Sequence, residues 1–243
     1  MRLLLTRPFD PDDTLGELLE AHGHQAVRAP LLKIEPLSFE VIDTSGLQAV
    51  IATSANALRA LDPSPALMAL PLYAVGPATG RMGSVKGFTR VVSGDSGAAA
   101  LTAVLETDLD PGGGAVLYLR GEDIAFDMGA ALTFRGFYVH SRITYRAQPI
   151  ESFNQETISE LGAGTVNGVV LLSPRTAQVY VNLLRQSHLL EAIKSLAHYC
   201  LSERVAAPLG AAGAKLIRVP SRPDVQELVA LIDASVTHSN PTA

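Results

Sequence analysis

Three places in the chain set a small residue between an apolar run and a helix-forming one. They are Ser54 in QAVIATSANALRAL, Gly76 in LPLYAVGPATG and Ser173 in GVVLLSPRTAQVYVNLL. A serine there caps the helix, and a glycine lets a ligand come close to the backbone. The first N–H groups of such a helix have no partner within it and suit an anion. One such turn alone is equally an ordinary strand-to-helix connection. The recurrence around Ser54 and Ser173 points to a shared ligand-holding role.

Two arginines, Arg7 and Arg120, follow apolar runs and could pair with acidic groups. Tyr145 lies in an extended stretch between Arg142 and Arg146. It reads either as a tyrosine packing on an interface or as a neutral phenol able to donate a hydrogen bond to a leaving oxygen. Other chemistries lack their parts. Gly94-Asp95-Ser96-Gly97 matches a serine-protease nucleophile motif without its companion histidine motif, and no G-x-S-x-G, Gly-Lys-Ser/Thr phosphate loop or G-x-G-x-x-G is present. The histidines, His22, His24, His140, His188, His198 and His238, are scattered, so no metal is expected, and His22 with His24 reads as a solvated pair. The acid pairs Asp12-Asp13 and Glu122-Asp123 fit helix starts.

The elements that would position these residues belong to a chain of 243 residues, 47% hydrophobic, which suffices for two cores of domain size. A net charge of −5, no basic run and no tryptophan argue against a nucleic-acid partner. Without a membrane-length apolar stretch or a leader pattern, the reading is a cytoplasmic protein with no membrane partner. No heptad or large apolar stripe calls for a second subunit, so a monomer is expected. The lone Cys200, in AHYCLS, reads as a small buried hydrophobe.

Strands are expected at 2–6, 25–29, 49–52, 72–75, 91–92, 115–119, 168–171, 198–201 and 216–219, with long extended stretches at 30–36 and 137–150. Helices are expected at 14–21 (opened by 10–13), 55–61, 65–70, from Pro77, and at 98–105, 124–134, 155–161, 176–184, 189–196, 204–213 and 223–234. Residues 235–243 read as a frayed tail. The alternation argues for parallel sheets covered by helices, with ligands at the carboxyl ends of the strands. Thr6, Ser54, Gly76, Arg120, Ser173 and Ser202 fall at those ends. The order also repeats. LLLTRP, a helix, a strand and PLLKIEP correspond to VLYLRG, a helix, a strand and TYRAQPI. The Ser54, Gly76 and Asp95 turns correspond to Ser173, Ser202-Glu203 and Pro223-Asp224. Two such domains, if turned toward each other, would line a cleft.

Taken together, LLLTRP, APLLKIEPL, IATSANALRAL, YAVGPATG, VLYLRGE, ITYRAQP and VVLLSPRTAQ resemble the uroporphyrinogen-III synthase family, from Leu3 to about Ile232. The resemblance implies an α/β fold of two doubly wound, parallel-sheet, flavodoxin-like domains joined by a two-stranded linker. It places residues 1–35 with 150–243 in one domain and 36–145 in the other, with linkers near 34–37 and 144–150.

The activity it implies is that of a cyclising lyase of tetrapyrrole biosynthesis. Hydroxymethylbilane would lose its hydroxyl to give an azafulvene cation, and a spiro intermediate would invert the last pyrrole ring before closure to uroporphyrinogen III. No cofactor and no metal are implied. Tyr145 matches the family's tyrosine, which assists departure of the hydroxyl. The implied substrate-binding set is Thr6, Arg7, Ser54, Ala55, Asn56, Gly76, Pro77, Thr79, Arg120, Gly121, Ser173, Pro174 and Thr176. One departure stands out: where the family often has a second Gly-Pro-Thr-Thr turn, this chain has Leu201-Ser202-Glu203-Arg204, and Glu203 would repel a carboxylate. The alternative is a non-catalytic tetrapyrrole or small-anion binding protein of the same fold.

Overall fold

The structure, a computed structural model, describes residues 1–8, 14–94 and 97–237. The helix start expected at 10–13, the Asp95-Ser96 part of the 94–97 motif, and His238 with the end of the tail lie outside the described residues.

The chain forms two compact units, residues 1–33 with 148–243 and residues 34–147. In the first, β1 (Arg2–Leu5), β2 (Gln25–Arg28), β9 (Gly168–Leu171), β10 (Ala197–Cys200) and β11 (Leu216–Arg218) make a parallel sheet of order β2-β1-β9-β10-β11. In the second, β4 (Leu47–Ala52), β5 (Leu72–Val75), β6 (Val91–Gly94), β7 (Ala115–Gly121) and β8 (Val139–Pro149) are parallel in the order β8-β7-β4-β5-β6, with β3 (Leu32–Pro36) outside β8.

The repeat read in the sequence extends to this topology. With β7 and β8 in the places of β1 and β2, and β4, β5 and β6 in those of β9, β10 and β11, the two orders are identical. The registers agree as well: Val116 pairs with Ala49 as Leu3 pairs with Gly168, and Val50 pairs with Leu72 as Val169 pairs with His198. The parts occur in opposite chain order in the two units.

Both faces of the second sheet are covered, which is why its inner strands β4, β5 and β7 are mostly apolar runs. Val50, Ala52, Leu117 and Leu119 pack with Ala57 and Leu58 of α2 (Ala55–Arg59) and Met82 of α4 (Pro77–Val85). Ala49, Ile51 and Tyr118 pack with Leu101 and Leu105 of α5 (Gly97–Asp108) and Met128 and Leu132 of α6 (Met128–Phe134). In the first unit, Leu3, Leu5 and Tyr199 meet Leu15 and Leu19 of α1 (Thr14–Ala21) and Leu228, Val229 and Ile232 of α10 (Val225–Thr237).

Some elements differ from the sequence reading. The helix expected at 124–134 begins at Met128, because Asp127, rather than the acids at 122–123, accepts the Ala130 N–H and caps it. The segment 189–196 holds only a 3-10 turn, Leu190–Lys194, after His188 takes a left-handed φ of 57° that breaks the preceding helix. Arg120 and Gly121 end β7 instead of following it. α8 (Pro174–Gln186) starts two residues before the expected 176, with proline in its first turn. Residues 235–237 belong to α10 rather than to a frayed tail.

Candidate functional site

In a doubly wound sheet the ligand crevice opens where neighbouring strands lead their connections to opposite sides. In the second unit this is between β7 and β4, and it brings Arg120 and Gly121 beside the Ser54 turn. Ser54 is extended, and its hydroxyl accepts the Asn56 N–H at 3.2 Å to start α2. The Asn56 side-chain carbonyl oxygen accepts from Arg59 at 2.9 Å. At the end of the neighbouring β5, Gly76 has φ 77° and ψ 155°, a conformation for glycine alone, and nothing lies within 4 Å of where its Cβ would be. No side chain caps α4 there, and Pro77 is its first residue. Thr79, one turn in, is buried.

Tyr145 stands on the other side of β7. The β7–β8 register runs from Arg120 opposite Ile143 to Gly121 opposite Tyr145, so Thr144 is an extra residue bulging from β8. The Tyr145 ring lies across Gly121, where a Cβ would stand 2.7 Å from its Cζ and 2.9 Å from its hydroxyl oxygen. The Glu122 N–H donates to the Tyr145 carbonyl at 2.9 Å. Tyr145 is partly buried and packs against the core cluster that includes Leu119 and Ala57. Thus the structure brings Ser54, Ala55, Asn56, Gly76, Pro77, Arg120, Gly121 and Tyr145 to the carboxyl edge of one sheet. Arg120 bends back along its own turn, donating to the carbonyls of Gly121 at 2.9 Å and Glu122 at 3.1 Å.

Two residues not singled out in the sequence belong here. The Tyr118 hydroxyl lies 3.4 Å from the Thr53 hydroxyl, at the root of the Ser54 turn, and burial pushes the Tyr118 pKa up. Thr144 is completely buried, and its hydroxyl donates to the Ala57 carbonyl at 3.1 Å. A tyrosine inside the apolar run AVLYL is the only signal the sequence offers for the first. The second depends on a bulge that only strand pairing reveals.

In the first unit the equivalent crevice lies between β1 and β9. Ser173 accepts the Thr176 N–H at 3.1 Å, and the two hydroxyls lie 2.7 Å apart. Thr176 and Thr6 are buried, and the Thr6 hydroxyl donates to the Val170 carbonyl at 2.8 Å, which occupies it within the sheet. Arg7 lines a groove with Leu15 and Leu18 of α1 and Val225 and Gln226 of α10. Ser202, at the start of α9 (Glu203–Ala211), caps it with no side-chain hydrogen bond. Cys200 is buried, and its thiol is pushed up to about 12 by burial and then by Glu203, so it stays protonated. Of the pair expected to be solvated, His22 is exposed and His24 is buried, and each lies 2.7 Å from a carboxylate oxygen of Asp233. Among the described residues no group of three His, Cys, Asp or Glu side chains is arranged to hold a metal ion. No described helix is long and apolar enough to cross a membrane.

The family model described as uroporphyrinogen-III synthase HemD matches residues 13–230. Among solved structures, the chain is similar to the uroporphyrinogen-III synthetase of Helicobacter pylori, at 18% identity and a TM-score of 0.64, covering 97% of this chain and 100% of that one. It is also similar to a mutant uroporphyrinogen III synthase of Thermus thermophilus, at 16% identity and a TM-score of 0.55, covering 98% and 99%. No curated protein matches the chain in sequence.

Proposed function

The chain belongs to the uroporphyrinogen-III synthase family, cyclising lyases of haem biosynthesis, and we propose that it holds hydroxymethylbilane at its strand-end turns while Tyr145 assists loss of the hydroxyl. The observation that carries this reading is the Tyr145 ring laid over Gly121, at the end of the strand that borders the crevice beside the Ser54 turn.

As the carbon–oxygen bond breaks, its electron pair leaves with the oxygen, and the neutral phenol donates a hydrogen bond to it. The azafulvene cation left behind is attacked by the substituted carbon of the last pyrrole. The spiro intermediate so formed fragments and recombines with that ring inverted. These later steps ask for geometry more than for side-chain acids and bases, because the substrate is a floppy chain whose ends must meet.

Its acetate and propionate groups suit the backbone N–H groups of the Gly76 turn, with Pro77 and Thr79 in its first helical turn, and of the Ser54 turn with Ala55 and Asn56. Ser173, Pro174 and Thr176 offer a turn of the same kind, as do Thr6 and Arg7 through the backbone and guanidinium. Local dipoles and the two arginines thereby offset a net charge of −5. Residues 34–37 and 144–150 act as connectors. The reading extends to a monomer in the cytoplasm with no nucleic-acid or membrane partner; the chain carries no basic run, and no described helix is long and apolar enough to cross a membrane.

The test is to supply purified protein with hydroxymethylbilane and determine which uroporphyrinogen isomer forms. Isomer III is expected. The symmetrical isomer alone, the product of unassisted closure, would leave a binding protein of the same fold as the better description.

A further inference from the structure

We propose that Thr144 is a positioning residue, its buried hydroxyl fixing the bulge that lays the Tyr145 ring in the gap left by the missing side chain of Gly121. The inference rests on the role given above to Tyr145 and adds the device that aims it.

The bulge at Thr144 matters because it re-phases the strand. Without the extra residue, the position opposite Gly121 would be filled by residue 144, and Tyr145 would point to the other face of the sheet. A bulge gives up ladder hydrogen bonds and needs a replacement. Here the Thr144 hydroxyl donates to the Ala57 carbonyl at 3.1 Å and lies 3.5 Å from the Arg120 carbonyl.

The Ala57 carbonyl is an orphan of the short helix α2. The N–H groups of Ala60 and Leu61, which follow the helix, bond to Asn56 and Leu58 instead. Thr144 therefore ties the strand that carries the phenol to the helix that begins at Ser54, and so sets the distance between Tyr145 and the turn facing the substrate. Gly121 supplies the other half of the device. A Cβ there would stand 2.7 Å from the ring and push it away. Glycine at this position thus leaves room for the ring rather than supplying backbone freedom, since its φ lies outside the left-handed region.

The experiment is a kinetic cycle with hydroxymethylbilane as substrate. Displacements of about 1 Å cost catalysis up to about 100-fold, so Thr144→Val and Gly121→Ala are each expected to lower kcat about tenfold with KM within about twofold. Thr144→Ser, which keeps the hydroxyl, should restore most of the rate. In a Tyr145→Phe background, Thr144→Val should lower kcat no further, because the group it aims is gone. An equal loss from Thr144→Val in both backgrounds would show that the hydroxyl serves the fold alone, and the proposal would fall. It would fall equally if Thr144→Val and Gly121→Ala both turned over normally while Tyr145→Phe was slow. Normal turnover of Tyr145→Phe itself would instead remove the role of the phenol, and the positioning device with it. Should Thr144→Val not fold, Gly121→Ala and Thr144→Ser carry the test.

Discussion

The two units share one sheet order yet carry different residues at corresponding places. Where the second unit leaves its edge through Thr144 and Tyr145 over Gly121, the first passes through Pro30 and a buried Leu31, with Pro8 at the place of Gly121. Where the second has the open Gly76 turn, the first has Ser202, extended at φ −158°, followed by Glu203. Where the second packs Leu72, the first buries His198. The two units thus share strand pairings and the Ser54 and Ser173 caps, while only the second has the phenol and a bare glycine turn. Pairing follows the apolar pattern along each strand, which both copies retain. Chemistry follows single residues at strand ends, which are free to diverge.

The two units differ most in chemistry at the phenol. Tyr145→Phe is expected to lower kcat about 100-fold, the low end for loss of a general acid, with the far-UV circular dichroism unchanged. Equal turnover would make the two units alike in lacking a reactive group.

The buried histidine gives an effect of similar size, read in stability rather than in rate. Burial lowers the His198 pKa from its ordinary 6.5 to about 4. The unfolded chain therefore takes up a proton as pH falls through 6.5, while the folded one resists until about 4. The stabilisation is complete above pH 6.5 and is lost on the way down to about 4, an effect of about 3 kcal/mol. His198→Leu, which gives the first unit the residue type of the second, should flatten the pH dependence of the urea midpoint across that window. A slope unchanged by the substitution would place the acid sensitivity elsewhere.

Gly76→Ala comes third. Its conformation is strained for any side chain, so a loss of about 1–3 kcal/mol in urea unfolding is expected, together with a raised KM. The reciprocal Ser202→Gly should cost only a few tenths of a kcal/mol, because Ser202 makes no side-chain cap bond. The smallest contrast is between the shared caps. Ser54→Ala and Ser173→Ala should each cost about 1 kcal/mol by the same measurement, and a large difference between them would show that only one turn is held by its serine.

Much of the fold could be read from the residues because strands buried on both faces stand out as short apolar runs, and Ser54, Ser173, Gly76 and Pro77 mark where helices begin. Less could be read where local signals compete. Glu122-Asp123 and Asp127 both suit a helix start, and the later one prevailed. The pairing of residues distant in sequence was the main thing hidden. Thr144 reads as one more β-branched residue until β8 is set beside β7, and nothing local to Gly121 tells that the Tyr145 ring lies across it. Thr6 fell at a strand end as expected, but whether its hydroxyl points to a ligand or to Val170 depends on β9, far along the chain.

The opposite chain order of the two units bears on how the protein is made. Residues 34–147 are contiguous, so every strand pairing among β4 to β8 is available once that stretch has left the ribosome. The opening strands β1 and β2 emerge earlier but wait for β9 before their inner edge is covered. Long-range closure is slow, and an uncovered apolar strand is exposed to wrong partners meanwhile. The inserted unit should accordingly acquire protected amides at Ile51 and Leu117 before Leu4 and Val170 do in pulse-labelled refolding. The strands that precede the inserted unit in the chain would then settle after it does.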